Sequence, residues 1–426
     1  MTRLVAWWQA MRGATFLWSM LPTVGALGLQ LVTFALTARA LGVEQFGRYT
    51  ALVAIVGVAV ELVGLGAADL LVRAVAVRPH EHRPWLGTVL TWSAITFPIV
   101  LVGGTVLAIG PLLIDIPVGH VAMALGGEVL QARSLASVEL ILVAHRQVAR
   151  AGWVRCAVFA SRLLLAVLVF GLGGATDLTR WIEAVLIQSL LVTGLLWGWL
   201  IRAHGAPTWV NHWRDLGSGL AFATNQTARA LQGNMDRMIL SRYAEASALG
   251  AYGAATRFVQ LGLFPIQVVT RMLYPRFFQQ GALGAGAVWH FTWRTATPAL
   301  LGVGVLAGVA VALAGQLAPW VLGESFRSAV ETTGRLAWAL PFIALQYPPA
   351  DALTATGRQW VRTLISTSSA LGFGFVLVLG AHWGGADGVA NAFVLGHALL
   401  AAALWVALRW VPPGGGPAAA PGSAAP

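Results

Sequence analysis

The chain is organised around the stretch Arg39-Ala-Leu-Gly-Val-Glu-Gln-Phe-Gly-Arg-Tyr49, which separates two long apolar runs. The run before it extends from Ala14 to Ala38, and the run after it extends from Thr50 to Val72. Each run exceeds the ~20 apolar residues that a helix needs to cross a lipid bilayer. The stretch is therefore predicted to be a short hairpin tip that joins two membrane-spanning helices.

A weaker copy of this stretch occurs half a chain later, where Leu249-Gly-Ala-Tyr-Gly-Ala254 matches Phe46-Gly-Arg-Tyr-Thr-Ala51. Further matches follow in the same order: Thr91-Trp92 with Pro98 and Thr292-Trp293 with Pro298, then His145-Arg-Gln147 and Gly357-Arg-Gln359. The shared order predicts an internal duplication. Two copies of a unit with an even number of spans enter the membrane from the same side, as parallel repeats do.

The composition excludes a water-soluble fold. The 426 residues are 58% hydrophobic and 10% charged, with a mean hydropathy of +0.74, whereas soluble domains carry ~25% charged residues. The net charge of +11 comes entirely from arginine, since the chain has no lysine. In a membrane protein these arginines are expected in cytoplasmic loops, and they do not indicate a nucleic-acid-binding surface. The single cysteine, Cys156, allows no intramolecular disulfide and no thiolate metal cluster.

Hydropathy predicts twelve membrane spans. They are 14–38, 49–72, 85–110, 119–144, 151–173, 181–203, 217–241, 249–273, 291–315, 328–352, 361–380 and 386–409. The fourth, seventh and tenth are the least apolar. The first span is too long for the apolar core of a cleavable signal peptide and is predicted to remain as a helix.

The spans divide the chain into five predicted regions. They are a cytoplasmic N-terminus 1–13, an N-terminal six-helix lobe 14–203, a cytoplasmic linker 204–216, a C-terminal six-helix lobe 217–410, and a Pro/Gly/Ala-rich tail 411–426 that is predicted to be disordered. Fourteen arginines then fall on the side of the N-terminus and six on the opposite side. This bias predicts that both termini are cytoplasmic.

Soluble-type catalysis finds little support in the sequence. Without lysine there is no G-x-x-x-x-G-K-[ST] phosphate loop, and no Asp-x-Asp pair is present for a metal-bound sugar nucleotide. The pair His80-x-His82 sits in an arginine-rich loop and is interpreted as a solvated loop segment rather than a metal site.

Charged residues inside the predicted spans are more informative, because each costs at least ~2.5–3.5 kcal/mol at mid-bilayer. The arginines are Arg133, Arg155, Arg162, Arg229, Arg237, Arg257 and Arg294. The acidic residues in or near spans are Glu61, Asp69, Glu128, Glu139, Glu183, Asp236 and Asp351. Such residues are expected to face a wet cavity or a partner.

The seventh span shows the clearest pattern. Asn225, Arg229, Gln232 and Asp236 recur at helical spacing and form one polar stripe. The stripe must turn away from lipid, either to line a cavity or to hydrogen-bond a neighbouring helix. Cavity lining is the favoured interpretation.

Other spans carry paired charges that leave two interpretations open. Glu128 and Glu139 share one face of the fourth span, where they bind a coupling cation or neutralise nearby arginines. Asp69 is expected to pair with Arg73 in its own helix.

The number of arginines within the predicted spans bears on the charge of the substrate. Several buried arginines suit an anionic substrate such as a diphosphate, whereas a protein that exports cationic drugs is expected to have the opposite balance of charge.

Short motifs along the chain resemble one known family. They are Arg39-Ala-Leu-Gly42, Phe46-Gly-x-Tyr49, Gly64-Leu-Gly66, Asn234-Met-Asp-Arg-Met-Ile-Leu240, Leu249-Gly-x-Tyr252 with Arg257, Leu322-Gly-Glu-x-Phe326 and Gly384-Gly-Ala-Asp-Gly388. Together they are similar to the polysaccharide (Wzx-like) flippases of the multidrug/oligosaccharidyl-lipid/polysaccharide exporter superfamily. The chain departs from the superfamily's peptidoglycan-precursor flippases, in which two extra spans are usual.

The resemblance implies an all-α polytopic membrane protein with two six-helix lobes related by pseudo-twofold symmetry, the MATE-like fold. It implies a flippase that moves polyprenyl-diphosphate-linked oligosaccharide across the bacterial inner membrane by alternating access, not an enzyme. The expected partners are this lipid-linked substrate, membrane lipids and polysaccharide-assembly proteins, and no nucleic acid. No cofactor or metal is expected, and coupling to H⁺ or Na⁺ is left open.

Two sets of site residues follow from the charges and this resemblance. The residues predicted to line the substrate cavity are Arg39, Arg133, Arg162, Asn225, Arg229, Gln232, Arg237, Arg257 and Arg294. The residues predicted for ion coupling are Glu61, Glu128 and Asp236. The alternatives are a cation-coupled multidrug antiporter of the same fold and a membrane-embedded polysaccharide polymerase or ligase. The second is disfavoured because it is expected to carry a large outer loop with catalytic residues.

Overall fold

The computed structural model describes residues 14–174, 176–210 and 212–410, and in these ranges every regular element is a helix. The helices are α1 Ala14–Leu62, α2 Ala67–Val77, α3 His82–Ile109, α4 Val118–Ala144, α5 Val148–Ala166, α6 Leu178–His204, α7 Leu216–Gln232, α8 Met235–Tyr243, α9 Ala246–Gly281, α10 Ala285–Phe291, α11 Thr297–Gly315, α12 Ala318–Leu322, α13 Ser328–Ala337, α14 Ala339–Ala355 and α15 Gln359–Trp410. Two π-helical turns, Val167–Leu172 and Thr292–Ala296, continue α5 and join α10 to α11.

The two longest of these helices, α1 and α15, are each two helices joined across a kink at one non-helical glycine. In α1 this residue is Gly42 (φ 71°, ψ 170°), and in α15 it is Gly385 (φ 53°, ψ −132°). Both glycines have a positive φ, which costs glycine little because it has no Cβ. Each long helix therefore holds two predicted spans, and the predicted hairpin tip at 39–49 is reduced to a kink at Gly42.

Six helical stretches in the described residues are long and apolar enough to cross a membrane. They are Val24–Leu62, His82–Ile109, Val148–Leu172, Leu178–His204, Ala285–Gly315 and Gln359–Trp410. The first and last cover two predicted spans each, so that eight predicted spans are accounted for. The other four, 119–144, 217–241, 249–273 and 328–352, are helices that are more polar or interrupted. The predicted fold class, an all-α polytopic membrane protein, is confirmed.

The chain divides into two compact units, Met1–Gly250 and Ala251–Pro426. In the first, a hydrophobic core is built from α2 to α6 and includes Leu71, Trp85, Trp92, Leu142 and Leu200, all at most 4% exposed. Burial of large apolar side chains between helices stabilises such a bundle wherever lipid is excluded.

The second unit packs through small residues. A Cβ atom at Gly304 of α11 would lie 2.7 Å from the Cβ of Ala344 and 3.1 Å from the Cα of Pro341, both in α14. Small residues at a crossing allow backbones to approach closely, which is how helices pack within lipid. Phe277 and Phe326 are fully buried within this unit.

The predicted region boundaries are not tested by this division and stay predictions. The unit boundary at Gly250 groups α7 and α8 with the preceding helices, whereas the predicted lobe boundary lies at 204–216. The predicted N-terminus 1–13 and tail 411–426 lie outside the described residues.

Candidate functional site

The second predicted span is broken inside the membrane. α1 ends at Leu62 and α2 begins at Ala67, and between them Gly64, Leu65 and Gly66 all have positive φ, of 78°, 46° and 74°. The amide of Gly64 donates to Oγ1 of Thr96 at 2.8 Å. Glycine adopts a positive φ at little cost, so the strain lies at Leu65. Strained residues of this kind cluster at functional sites, and in transporters broken helices bring helix ends to the substrate or the ion.

Arg133 of α4 lies at this break. It is 6% exposed, and its Nε and Nη2 atoms have no hydrogen-bond partner in the described part of the chain. The nearby carboxylates of Glu61 and Asp69, both partly exposed, supply the opposing charge. A guanidinium buried without hydrogen bonds is costly, so its retention points to a functional role.

The predicted pairing of Asp69 with Arg73 is wrong. Asp69 lies in the first turn of α2, where its charge acts on Arg133. Arg73 instead reaches Asp215, just before α7, with an N–O distance of 4.0 Å. The break places the start of α2 beside α4, so the buried arginine attracts Asp69.

A second charged group links α4 to α5. Arg162 donates from Nη1 to Oε1 of Glu128 at 2.9 Å and from Nη2 to Oε2 at 3.1 Å. The hydroxyl of Tyr49 donates to the same carboxylate at 2.6 Å, and Gln131 accepts from Arg162 and from Ser189. Both charged side chains are half-buried, and both carboxylate oxygens and both terminal guanidinium nitrogens are engaged, so this group fixes four helices together.

Two further pairs resemble it. Arg155 makes a bidentate contact with Glu139, with Nε donating to Oε1 at 2.7 Å. Arg237, 7% exposed by side chain, lies 3.5 Å from Asp236, which is 4% exposed. Of the two interpretations left open for Glu128 and Glu139, the structure shows both neutralising an arginine of α5.

Arg229 differs from these arginines. It is exposed and forms no ion pair or side-chain hydrogen bond with any residue that the structure describes. Asn225, one turn earlier on α7, is also exposed, while Gln232 is half-buried and Asp236 is buried in α8. Since α7 ends at Gln232 and α8 begins at Met235, the predicted stripe is interrupted, and only its first half faces open space.

The remaining predicted cavity residues are dispersed. Arg39 is exposed just before the kink at Gly42. Arg257 in α9 is half-buried and donates to Gln260 at 3.2 Å. Arg294 lies in the π-helical turn that joins α10 to α11, where it is exposed and without an ion pair among the described residues. The predicted roles of these residues stay predictions. In the described ranges, no group of His, Cys, Asp and Glu could hold a metal ion.

Sequence reasoning missed one cluster at the predicted cytoplasmic side. His82 begins α3, His145 follows α4 and His204 ends α6. Nε2 of His82 is 2.7 Å from the carbonyl oxygen of His204. The ring of His145 lies 5.5 Å from that of His82 and stacks at 4.7 Å on that of His204. Nothing in the sequence signals the group, because its members come from three distant loops.

The cluster predicts that stability falls in acid. Burial and neighbouring positive charge lower the pKa of His145 and of His204 below the ordinary 6.5. In the unfolded chain these histidines take up protons as the pH drops through 6.5, while in the folded chain they take them up only at lower pH, so the free energy of unfolding decreases. We expect the unfolding temperature in detergent to fall between about pH 7.5 and about pH 5.5.

Two variants test this origin. His145→Gln should flatten the pH dependence, whereas His290→Gln, at an exposed histidine outside the cluster, should leave it as in the parent. Equal slopes for the parent and His145→Gln would show that the cluster does not cause the acid sensitivity.

Comparison with known proteins gives a consistent family. The model of a family described as "Polysaccharide biosynthesis protein" matches residues 13–280. No curated protein sequence matches the chain. A solved structure with a similar fold is an inward-facing multidrug resistance MATE family transporter of the MOP superfamily, with 16% identity and a TM-score of 0.68, covering 90% of this chain and 94% of that one.

Two other solved structures share the fold. The lipid II flippase MurJ, in an inward closed conformation, has 13% identity and a TM-score of 0.69 over 92% of this chain and 87% of that one. A MOP superfamily transporter from Pyrococcus furiosus has 13% identity and a TM-score of 0.58 over 92% and 94%. At these identities the likeness shows the fold, the two-lobe arrangement of these transporters. By the family match over more than half of its length, the chain belongs to the polysaccharide biosynthesis family, the Wzx-like flippases of the MOP superfamily.

Proposed function

We propose that this protein moves a polyprenyl-diphosphate-linked oligosaccharide across the bacterial inner membrane for surface polysaccharide assembly. It would do so by alternating access through a charged cavity, with both termini in the cytoplasm. The observation that carries this proposal is Arg229, an arginine in the middle of predicted span 217–241 that is exposed and unpaired among the described residues. A planar guanidinium is suited to two parallel hydrogen bonds with phosphate oxygens.

Other arginines in the predicted spans are less suited than Arg229 to bind a phosphate. Arg155, Arg162 and Arg237 are already neutralised by carboxylates. Arg294 lies three residues from the predicted inner end of its span at position 291, where a long side chain can reach the lipid headgroups. Arg229 is too deep for that explanation. It is therefore the positive charge at mid-depth that is best placed to meet an anionic headgroup.

The same reasoning selects one residue for ion coupling. Of the three predicted residues, Glu128 and Asp236 lie in close ion pairs with arginine, so binding of a cation there would have to displace a guanidinium. Glu61 is partly exposed beside the broken helix, and Arg133 acts on it without a hydrogen bond. We propose Glu61 as the residue that couples transport to a gradient of H⁺ or Na⁺, with the membrane potential as a further driving force on a charged substrate.

Removal of the charge at Arg229 tests the proposal. In a strain that lacks its own flippase, Arg229→Gln should lower surface polysaccharide export at least ~10-fold, a loss of ~1.4 kcal/mol of interaction with the substrate. The matched control is Arg327→Gln, which removes a guanidinium that is 78% exposed beside Glu324 and should leave export unchanged. Both variants should reach the membrane at the parental level.

The alternative functions give different results. Export at the normal rate by Arg229→Gln would remove this residue from the substrate path. If the parent fails to restore export but extrudes cationic dyes, the protein is an antiporter of the same fold.

A further inference from the structure

Three glycines lie against the segment 216–250: Gly47 in the predicted hairpin tip, and Gly57 and Gly66 in the second predicted span. We call this line of contacts the glycine seam. All of it lies within the first compact unit. Midway along it, a Cβ atom at Gly57 would lie 2.8 Å from Nδ2 of Asn234. The seam runs along α1 and α2 on one side and along α7, α8 and the first turn of α9 on the other.

The end of the seam at Gly47 is a reciprocal crossing. A Cβ atom on Gly47 would overlap the carbonyl oxygen of Ala246 and lie 2.8 Å from the amide nitrogen of Gly250. A Cβ atom on Gly250 would overlap the carbonyl oxygen of Val43. Each glycine thus abuts the carbonyl four residues before the other. The two glycines belong to the repeated motifs Phe46-Gly-x-Tyr49 and Leu249-Gly-x-Tyr252, so the two copies of the motif contact each other.

The other end is closed in the same way. A Cβ atom on Gly66 would overlap the carbonyl oxygen of Gly219, and one on Gly219 would lie 2.5 Å from the carbonyl oxygen of Leu65. This crossing lies at the helix break beside Arg133. Along α7 and α8, the exposed residues Asn225 and Arg229 come between the two crossings.

A cavity lined by charged, polar and apolar residues opens at the Gly47 end. Its volume is about 470 Å³, and it is lined from both sides of the crossing, by Glu44 and Arg48 of α1 and by Ala246 and Ser247 of α9. Arg48 bridges Glu44 at 2.8 Å and Asp115 at 3.3 Å. Water can therefore reach the crossing from this end, where the two glycines meet mainly backbone atoms of the facing helix.

We infer that the glycine seam is the interface that opens to let the substrate through, and that its two crossings are alternating gates. The inference rests on the proposed function, because a flippase must expose one site to each side of the membrane in turn. Backbone contacts between glycines can separate and re-form without unpacking interlocked side chains, which suits a joint that opens in every cycle. The Gly47–Gly250 crossing is the outer gate, and the Gly66–Gly219 crossing is the inner gate.

Alanine substitutions test the two gates in opposite directions. A methyl group at Gly47 cannot fit while the outer gate is closed, and one at Gly219 cannot fit while the inner gate is closed. Because Cys156 is the only cysteine, Cys156→Ser with Asn225→Cys gives a single reporter thiol between the gates. Its reaction with a membrane-impermeant maleimide is measured in right-side-out and in inverted vesicles.

Gly47→Ala should raise labelling from the outer side by about tenfold, and Gly219→Ala should raise it from the inner side by a similar factor. Gly28→Ala is the control, since a Cβ atom there meets nothing within 4 Å, and it should label like the parent. Gly250→Ala should reproduce the effect of Gly47→Ala. Parental labelling in both gate variants would overturn the inference, as would opening of the same side by both.

A second experiment leaves Gly47 and Gly250 unchanged, so that no new Cβ atom is placed at the crossing. Val43→Cys with Ala246→Cys, in the Cys156→Ser background, can be joined by a short bismaleimide across the outer gate. Cross-linking should stop polysaccharide export, while either single cysteine treated alike should not, and unchanged export after cross-linking would overturn the outer gate. Labelling needs no substrate, so it tests the gates independently of the proposed function. If the parent protein exports no polysaccharide but the gate variants change the labelling as expected, the proposed function is wrong and the gates are supported. If Gly47→Ala raises labelling from the inner side and Gly219→Ala raises it from the outer side, the two gates are confirmed and the predicted topology is wrong.

Discussion

Glu128→Gln is expected to lower the free energy of unfolding by up to ~3–5 kcal/mol, because it leaves the largely covered guanidinium of Arg162 without its counter-charge. The side chains of Arg162 and Glu128 are 12% and 18% exposed, so water replaces little of the lost interaction. Tyr49 loses its charged acceptor at the same time. The measurement is thermal unfolding of the purified protein in detergent, followed by tryptophan fluorescence.

The chain offers a matched control for this result. Glu139→Gln breaks a similar pair in the same two helices, but Arg155 is 44% exposed and keeps water around its charge, so the loss should stay below ~1 kcal/mol. Removal of both charges, in Glu128→Leu with Arg162→Met, should recover much of the stability. If Glu128→Gln unfolds at the parental temperature, the pair does not hold these helices together.

Arg133→Met is expected to act in the opposite way: unchanged or higher thermal stability, together with a loss of export of about tenfold or more. The guanidinium of Arg133 is buried with two nitrogen atoms unsatisfied, so its replacement by an apolar side chain of similar length removes a cost. Glu61 and Asp69 would stay partly exposed but lose the positive charge of Arg133 that acts on them. Unfolding temperature and export are measured on the same variant.

A structural role for Arg133 would give another outcome. If Arg133→Met unfolds at a lower temperature and export falls only in proportion to the amount of folded protein, Arg133 is part of the scaffold. Arg133→Lys, which keeps the charge, should retain more export than Arg133→Met if the charge is what matters.

Hydropathy is enough to predict the fold class because lipid-exposed backbone must satisfy its own hydrogen bonds, which makes the spanning segments of this chain helical. The single kinks at Gly42 and Gly385 show how short the connections between such helices can be. The break in the second span has no signal in the sequence. The stretch Gly64-Leu-Gly66 is apolar and looks continuous until its backbone angles are known.

The charges could be located in the sequence but not paired. Glu128 and Arg162 come from different helices, and only packing decides that they meet while Arg229 is left without a partner. The predicted pairing of Asp69 with Arg73 is wrong for the same reason. Arg133, which acts on Asp69, is far from it in sequence and lies on a facing helix. The duplicated Phe46-Gly-x-Tyr49 motif was visible, whereas the contact between its two copies was not.

The central claim is that a positive charge kept at mid-membrane binds the diphosphate of a lipid-linked glycan. The most direct measurement is transbilayer movement of a fluorescent polyprenyl-diphosphate oligosaccharide in liposomes that contain either the parent or Arg229→Gln. The account predicts rapid movement with the parent and movement close to that of empty liposomes with Arg229→Gln, while Arg327→Gln behaves as the parent. Equal rates for the parent and Arg229→Gln, or no movement with the parent above that of empty liposomes, would contradict it.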